Sequence, residues 1–303
     1  MALPELDEAL RGRLIRRFGD SVGEWLDNAP RVLASIGSRW EIEFGALIPR
    51  GTMSVVIRCR TADARNAVCK LCPDTTRLAR EAAALQSWTT PHAPTVFAAD
   101  TTVGALLIEA IEPGTPLAEM PTKPSLESVA DMLSSLHDHA STREGFPSVT
   151  DRIAWLFDAW DHELNRNPEL RELMAADLPA RGRHLAMRLA ADLVPPVLLH
   201  GDLNPGNLLD GGPRRGLVAI DPAPCIGDAA FDATDLVFAA ATDPEAISSY
   251  IEDLAPAARV SPDRLLNWCI AFAGMDGSEI AQAHGQTPAS EGLLALAARA
   301  PAL

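Results

Sequence analysis

Apolar residues near the start of the chain recur at helical spacing and then give way to the alternation that β-strands show. Leu10 and Leu14 belong to the helical stretch, which predicts helix within residues 5–36, and a second short helix is expected to include Trp25 and Val32. Strands are then predicted at 40–45, 55–59, 66–71, 95–99 and 104–108, with one helix at 75–88. The first third of the chain is therefore expected to be an antiparallel sheet with an internal helix.

The pattern changes at the proline- and glycine-containing segment Glu112–Pro116, after which almost every stretch is helical. Helices are predicted at 124–139, 149–164, 169–193 with a break near Pro179, and from 229 to the end. The core of these helices is expected to include Trp155, Trp160, Trp268 and Met275. The exception is 196–222, where short apolar runs flank a polar loop. This layout predicts an α+β chain with an N-terminal sheet lobe over residues 1–110 and a helical C-terminal lobe over residues 111–303.

Composition narrows the range of partners. The 303 residues are 47% hydrophobic and include 26 basic and 41 acidic residues, for a formal net charge of −15. A chain this acidic repels phosphate backbones, which argues against nucleic-acid binding, and attracts cationic small molecules. Acidity that serves only solubility is the alternative. No apolar run of about 18 residues is present, so no membrane span is expected.

The cysteines favour a reducing compartment. They are odd in number, and we expect reduced thiols in a cytoplasmic monomer or weak dimer. Cys69 and Cys72 form a C-x-x-C pair, but it lies in a strand-like apolar run and no second pair completes a zinc site. Metal or redox chemistry at this pair is therefore not expected.

The candidate chemistry lies in the island between the helices. An apolar run leads into His200 and Asp202, Asn207 follows five residues after Asp202, and a second apolar run ends in Asp221. Phosphoryl transfer needs one carboxylate to hold the acceptor hydroxyl and take its proton, and an oxygen set to hold magnesium against the nucleotide phosphates. Asp202 fits the first role, and Asn207 and Asp221 fit the second. An ordinary loop with a capping Asp and a turn-forming Asn is the alternative.

This run resembles a known family. The segment 200–207, which spells HGDLNPGN, and the pair Asp221-Pro222 are similar to the catalytic and metal-binding motifs of aminoglycoside phosphotransferases. The sequence around Asp221, residues 219–222 followed by Gly227-Asp228, is most similar to that of the aminoglycoside/hydroxyurea resistance branch, which includes streptomycin 6-phosphotransferases. The resemblance implies a two-lobed protein-kinase-like fold, with ATP (GTP not excluded) and Mg²⁺ as cofactors. Gly201 stands where protein kinases have Arg, so a protein substrate is not expected.

The resemblance also assigns roles in the first lobe. Lys70 would contact the α- and β-phosphates with Glu81 as its ion-pair partner, and the turn at Gly51 would cover the phosphates with backbone amides. Backbone groups of Glu109 and Ile111 would face the purine as a hinge. An exposed lysine on an edge strand and a solvated glutamate on a helix face are the alternatives for Lys70 and Glu81.

Acidic residues in the second lobe are candidates for holding a cationic acceptor: Asp228, Asp232, Asp276 and Glu279. Asp228 is equally well explained as an anchor for the helix that follows it. The expected function is a kinase for a hydroxyl of an aminoglycoside-like antibiotic, with streptomycin as first candidate. A kinase for another hydroxylated or cationic metabolite and a non-catalytic, pseudokinase-like nucleotide-binding module are the alternatives.

Overall fold

The computed structural model describes residues 5–49 and 53–303, which divide into two compact units. Within the described residues, the first unit runs through Ser87 and resumes over Ala93–Gly114, and the second comprises Trp88–His92 and Thr115–Leu303. The chain thus enters the second unit after Gly114 rather than after residue 110. The sequence pattern gave no sign that Trp88–His92 belongs to the second unit.

The first unit contains three helices and a five-stranded sheet among its described residues. These elements are α1 (Glu8–Phe18), α2 (Val22–Arg39), β1 (Ile42–Leu47), β2 (Val55–Thr61), β3 (Asn66–Leu71), α3 (Thr75–Ser87), β4 (Val96–Asp100) and β5 (Ala105–Glu109). All neighbouring strands are antiparallel, in the order β1-β2-β3-β5-β4. The predicted strands all form, while α2 is a full 18-residue helix rather than the short one expected.

One face of this sheet is covered by α1 and α2. Leu14 and Leu26 from these helices share a core with strand residues of alternating position, including Ile57 and Cys69. Burial of this apolar face stabilises the sheet at roughly 25 cal/mol per Å² removed from water. Because side chains alternate along a strand, Lys70 projects to the face opposite Cys69, where α3 supplies its partner.

The second unit is helical apart from two short β-ribbons. Its elements are α4 (Leu126–Asp138), α5 (Val149–Arg166), α6 (Pro168–Arg171), α7 (Leu178–Ala191), β6 (Val197–Leu199), β7 (Leu208–Asp210), β8 (Leu217–Ala219), β9 (Cys225–Gly227), α8 (Ala229–Ala240), α9 (Pro244–Ala257), α10 (Pro262–His284) and α11 (Pro288–Ala297), preceded by a 3₁₀ turn (Leu117–Glu119). Strand β6 pairs with β9, and β7 pairs with β8, both antiparallel.

Helix α10 is the centre of the helical core. Its Trp268 and Phe272 stack on each other and meet Phe231 edge-to-face, with ring centroids 5.4–6.2 Å apart. Such aromatic contacts add about 0.5–1.5 kcal/mol each beyond the area they bury. Gly182 allows α7 to pack closely on α10, because a Cβ there would lie 2.6 Å from the Ala271 carbonyl oxygen.

The helices, the cysteines and one tryptophan bear on what the sequence predicts about membrane spans, thiols and the core. Among the described residues, no helix combines the length and apolarity that crossing a bilayer requires. All five cysteines are buried free thiols, and the described residues hold no cluster of three or more His, Cys, Asp or Glu side chains suited to a metal. One expectation about the core is wrong: Trp155 was predicted to be buried, and it is 44% exposed on α5.

Candidate active site

The polar loop at 200–207 is held at both ends by the two β-ribbons of the second unit. It leaves β6 at Leu199 and enters β7 at Leu208. Backbone bonds tie the loop to the segment that carries Asp221: Ile220 N–H donates to the Asn207 carbonyl at 2.8 Å, and Ala223 N–H donates to the His200 carbonyl at 2.9 Å. These two bonds hold the loop that carries Asn207 against the segment that carries Asp221.

Gly201 is required by the shape of this loop. Its φ is +75°, which non-glycine residues adopt at a cost, and a Cβ there would lie 2.2 Å from the Ala223 carbonyl oxygen. No side chain can therefore occupy position 201 without moving the backbone. This close approach explains why the loop has glycine next to Asp202.

Asp232 supports the loop from below. Its carboxylate accepts the backbone N–H groups of His200 and Gly201, both at 2.8 Å, and the Nε2 of His137 lies 3.0 Å from it. Burial opposes ionisation of Asp232, but its bond to the His137 ring and the neighbouring charges outweigh burial, so its pKa lies below the ordinary value. Because the side chain is fully buried and both oxygens are used, we assign Asp232 a bracing role in place of the expected substrate contact.

Asp202 and Asn207 are locked together within the loop. The Asn207 Nδ2 donates to the Asp202 carbonyl at 2.9 Å and to the Asp202 Oδ2 at 3.2 Å, and the Asn204 Nδ2 donates to the Asp202 Oδ1 at 3.2 Å. The Asp202 side chain remains 34% exposed. Since the amide nitrogen of Asn207 is used inside the loop, its oxygen is the atom left to face a cation. The donor set of one amide oxygen and the Asp221 carboxylate fits Mg²⁺, which prefers oxygen ligands.

Asp221 has an unusual backbone conformation. Its φ is +57°, in the left-handed region that β-carbons disfavour by about 1–2 kcal/mol. Strained residues of this kind concentrate at functional sites, where the surrounding structure holds them in place. The Ile220–Asn207 bond described above provides that restraint immediately before Asp221.

His200 is buried beneath the loop. Its Nε2 lies 3.0 Å from the Ile220 carbonyl oxygen, which can only accept, so this nitrogen carries the proton. Burial lowers the pKa of the ring despite nearby carboxylates, and the imidazole is neutral at pH 7. The ring also stacks on Trp88, with centroids 6.0 Å apart, which is how the segment Trp88–His92 joins the second unit. These contacts give His200 a bracing role beneath the loop.

In the first unit, Lys70 and Glu81 form a buried ion pair. The Lys70 Nζ contacts the Glu81 Oε1, and both residues are 4% exposed. Neither the exposed edge-strand lysine nor the solvated helix-face glutamate matches this arrangement. Lys70 lies on β3, which is flanked by β2 and β5 in the interior of the sheet. A buried pair of this kind holds the ammonium group in a fixed place at the cost of desolvating two charges.

Three further residues were expected at the nucleotide site: Glu109, Ile111 and Gly51. The backbone N–H of Glu109 donates to the Thr95 carbonyl at 2.9 Å inside the first unit, so this amide is already used. Ile111 follows the end of β5 and is buried. Gly51 lies outside the described residues.

Asp228 is used inside the second unit. Its Oδ1 accepts the Ala230 N–H at 3.1 Å at the start of α8, and its Oδ2 accepts from the Arg264 Nε and the Trp268 Nε1, both at 2.5 Å. The residue is 6% exposed. Its contacts are those of an anchor between α8 and α10, which was the alternative to a substrate role.

Asp276 and Glu279 belong to a carboxylate cluster with Asp235. Asp276 and Glu279 lie on α10, and Asp235 lies on α8, one turn after Asp232. Burial raises the pKa of Asp235 to about 7, and the nearby Asp202 carboxylate adds to the effect. Burial also raises the pKa of Asp276, reinforced by Asp235 and Glu279. Asp235 therefore lies within electrostatic range of Asp202, and the cluster concentrates negative charge near the loop.

Sequence reasoning missed one residue of this site and left another open. Asp235 belongs to an acidic string with Asp228 and Asp232 that could bind a cationic substrate, but the sequence does not distinguish it from the other two. Arg152 on α5 carried no signal, since it is one arginine in an amphipathic helix, yet its Nε donates to the Gly201 carbonyl at 3.1 Å. Its neighbourhood is created by the fold, because 49 residues separate the two partners.

Comparison with known sequences agrees with this chemistry. The family model described as aminoglycoside/hydroxyurea antibiotic resistance kinase matches residues 39–283. The chain belongs to this family. The resemblance inferred from the loop and from Asp221 is thereby confirmed. Membership in this kinase family extends over both units, from β1 to the end of α10.

Two curated relatives of this antibiotic resistance kinase family are similar to the chain. A hydroxyurea phosphotransferase of Kitasatospora aureofaciens is 28% identical over 222 residues, covering 71% of this chain and 63% of that protein. A streptomycin 6-kinase of Streptomyces glaucescens is 24% identical over 237 residues, covering 76% of this chain and 73% of that protein. The chain thus matches less than two thirds of the length of the hydroxyurea phosphotransferase.

Solved structures show the fold. A choline/ethanolamine kinase family protein from Mesorhizobium loti superposes with a TM-score of 0.60 at 17% identity, covering 89% of this chain and 98% of that one. The predicted α+β, kinase-like fold is confirmed, with an antiparallel sheet in the first unit and helices in the second.

Proposed function

We propose that this antibiotic resistance kinase family member transfers the γ-phosphoryl group of ATP to a hydroxyl of an aminoglycoside-like acceptor, with streptomycin as the first candidate. The observation that supports the proposal most directly is the loop geometry. Asn207 holds the Asp202 carboxylate through its amide nitrogen, and the Ile220–Asn207 bond brings Asp221 to the same loop. An intact base and an intact oxygen donor set argue against the pseudokinase-like alternative.

In this mechanism Asp202 orients the acceptor hydroxyl and receives its proton as the hydroxyl oxygen attacks the γ-phosphorus and ADP leaves. Asn207 and Asp221 would hold Mg²⁺, which neutralises charge on the phosphates when bound. Lys70, fixed by Glu81, would contact the α- and β-phosphates. Ile111 is proposed for the purine through its backbone. GTP as donor and the role of the Gly51 turn stay predictions.

The proposed acceptor is cationic because of the carboxylate cluster. Asp235, Asp276 and Glu279 lie on two helices of the second unit, and Asp235 is close enough to Asp202 for their charges to interact. A guanidinium or ammonium group placed against these carboxylates would bring a neighbouring hydroxyl toward Asp202. The cytoplasm, where ATP is available and thiols stay reduced, is the proposed location.

Hydroxyurea is the second candidate acceptor. The hydroxyurea phosphotransferase is the more similar of the two curated relatives reported above, at 28% identity against 24%. Hydroxyurea is small and neutral, so it would need Asp202 and the loop but not the carboxylate cluster. Streptomycin would therefore use both the loop and the carboxylate cluster of the second unit, whereas hydroxyurea would use the loop alone.

The test is ADP release from Mg-ATP with streptomycin, hydroxyurea, choline and a neutral sugar as acceptors. We expect streptomycin to be turned over, and we expect Asp202→Asn to lower that turnover by about 10²- to 10⁴-fold. Mg-ATP should still stabilise this variant in a thermal-shift scan. Asn207→Ala and Asp221→Ala should instead weaken the magnesium-dependent part of that thermal shift. Undiminished turnover in Asp202→Asn would remove the base, and turnover of the neutral sugar alone would remove the antibiotic assignment.

A further inference from the structure

Arg152 lies against the loop that carries the proposed base. Its Nε donates to the Gly201 carbonyl at 3.1 Å, and its Nη2 lies 3.9 Å from the Asp202 Oδ1. The Arg152 side chain is only 12% exposed, whereas ordinary surface arginines of this chain, such as Arg171, are 43% exposed. One guanidinium group thus contacts both the backbone and the side chain of the proposed catalytic segment.

Trp155 holds this guanidinium in place. The Arg152 Cζ lies 4.9 Å from the centroid of the Trp155 ring, one helical turn further along α5. A guanidinium stacked on an indole is attracted to the electron-rich face of the ring, and its planar fork loses little freedom when it forms further bonds. The stack therefore restricts Arg152 to an orientation in which its nitrogens face the loop.

The loop cannot supply a cation of its own beside Asp202. The close approach of Gly201 to the Ala223 carbonyl leaves no room for a side chain there. The surroundings are acidic, since the carboxylates of Asp202 and Asp232 both act on Asp235, and Arg152 opposes them. A cation that satisfies this group of carboxylates has to come from another element, and α5 provides it.

We propose that Arg152 is a positioning residue for Asp202: it clamps the Gly201 carbonyl and faces the Asp202 carboxylate, and so keeps the base oriented toward the acceptor. The inference rests on the proposed role of Asp202. A residue that acts in this way affects the chemical step more than binding of either substrate. Misplacing a reacting group by about 1 Å can lower the rate by about 100-fold.

The experiment compares Arg152→Met, which removes the donor and the charge, with Arg152→Lys, which keeps only the charge. ADP release from Mg-ATP is measured with streptomycin, with hydroxyurea and with water alone as acceptor. We expect Arg152→Met to lower kcat by roughly 10- to 100-fold while KM for Mg-ATP changes by less than about twofold. Arg152→Lys should fall between this variant and the wild type, because an ammonium group cannot contact Gly201 and Asp202 together while stacked on Trp155.

Arg171→Met is the matched control. Arg171 also contacts residues of α5, through the Asn165 Oδ1 at 3.0 Å, but it lies on the exposed side, and its loss should leave kcat unchanged. If Arg152 had a purely structural role, Arg152→Met would lower Tm without a specific loss of kcat, and Arg152→Lys would not have an intermediate kcat. Wild-type kcat in Arg152→Met beside an inactive Asp202→Asn would overturn this inference alone. Wild-type kcat in Asp202→Asn would overturn the proposed function, and the inference with it.

Discussion

At the scale of single residues, the site depends on groups whose ordinary preferences are overridden. Gly201 and Asp221 both have positive φ, and Asp232 is an ionised carboxylate with no exposed side-chain surface. Each is stabilised by specific partners: the Ala223 carbonyl excludes a side chain at Gly201, and three donors surround Asp232. Such residues are tolerated where the surrounding structure determines them, and here each belongs to the loop at 200–207 or to a segment that is hydrogen-bonded to it.

The raised pKa of Asp235 predicts a pH dependence of stability. Burial raises this pKa to about 7, and the carboxylates of Asp202 and Asp232 act in the same direction. The positive charge of Arg152 acts in the opposite direction. An unfolded Asp titrates near pH 3.9, so the folded state binds the extra proton between roughly pH 4 and pH 7. Stability from this group is complete below the unfolded pKa and is lost as pH rises through the folded pKa.

We therefore expect Tm to decrease between about pH 4 and pH 7, and Asp235→Asn to flatten that decrease because its amide does not titrate. Thermal denaturation at several pH values measures both slopes. Asp243→Asn is less suitable as a control because Asp243 caps α9, whereas Glu252 is exposed on the same helix and Glu252→Gln should keep the wild-type slope. An unchanged slope in Asp235→Asn would show that another group titrates.

At the scale of elements, α8 connects most parts of the candidate site. Asp228 caps its first turn and bonds to α10, Asp232 reaches the loop after β6 and His137 of α4, and Asp235 joins the carboxylate cluster. Residues three or four apart lie on one helix face, so Asp228, Asp232 and Asp235 all project to the same side of α8. One helix therefore anchors the loop, the core and the proposed acceptor site together.

Asp232→Asn tests this connecting role. Asn has the same shape but turns one of the two acceptors into a donor that faces the loop amides, which leaves buried groups unpaired. We expect a loss of about 2–4 kcal/mol of unfolding free energy and a Tm lower by roughly 5–15 °C. Differential scanning calorimetry measures the loss. A Tm within about 1 °C of the wild type would show that Asp232 does not hold α8 to the loop.

At the scale of the whole molecule, the formal charge of −15 bears on how an acceptor arrives. The surplus of acidic residues attracts cations over a distance that salt screens to about 8 Å at physiological ionic strength. The same surplus has no such effect on a neutral acceptor. Charge therefore separates the two candidate acceptors by an observable that does not depend on their shapes.

With saturating Mg-ATP, kcat/KM for streptomycin should fall several-fold as salt rises from about 0.02 to 0.5 M, whereas kcat/KM for hydroxyurea should change little. Steady-state kinetics at several salt concentrations measures both. Hydroxyurea serves as the internal control because nonspecific effects of salt on the enzyme would lower both values. Equal salt dependence of the two acceptors would contradict electrostatic attraction of the cationic one.

Much of the local structure was predictable because it follows from local patterns. The alternation at 55–59 and 66–71 and the helical spacing at 124–139 correspond to β2, β3 and α4. Strand β9 was overlooked, since Cys225–Gly227 is too short to show a period of two. Trp155 was misplaced because the type of a residue indicates its average burial and not which face of its helix meets a neighbour.

The sequence by itself determined the family, the kinase-like fold and the candidate roles of Asp202, Asn207 and Asp221, because their spacing within one loop and one strand end is a local property. Only the tertiary structure decided which acidic residues are used internally. Asp228 and Asp232 resemble Asp235 in sequence, yet the first two accept buried hydrogen bonds while the third adjoins Asp276. The same holds for Arg152, whose place beside Asp202 arises from contacts across 49 residues that no local pattern encodes.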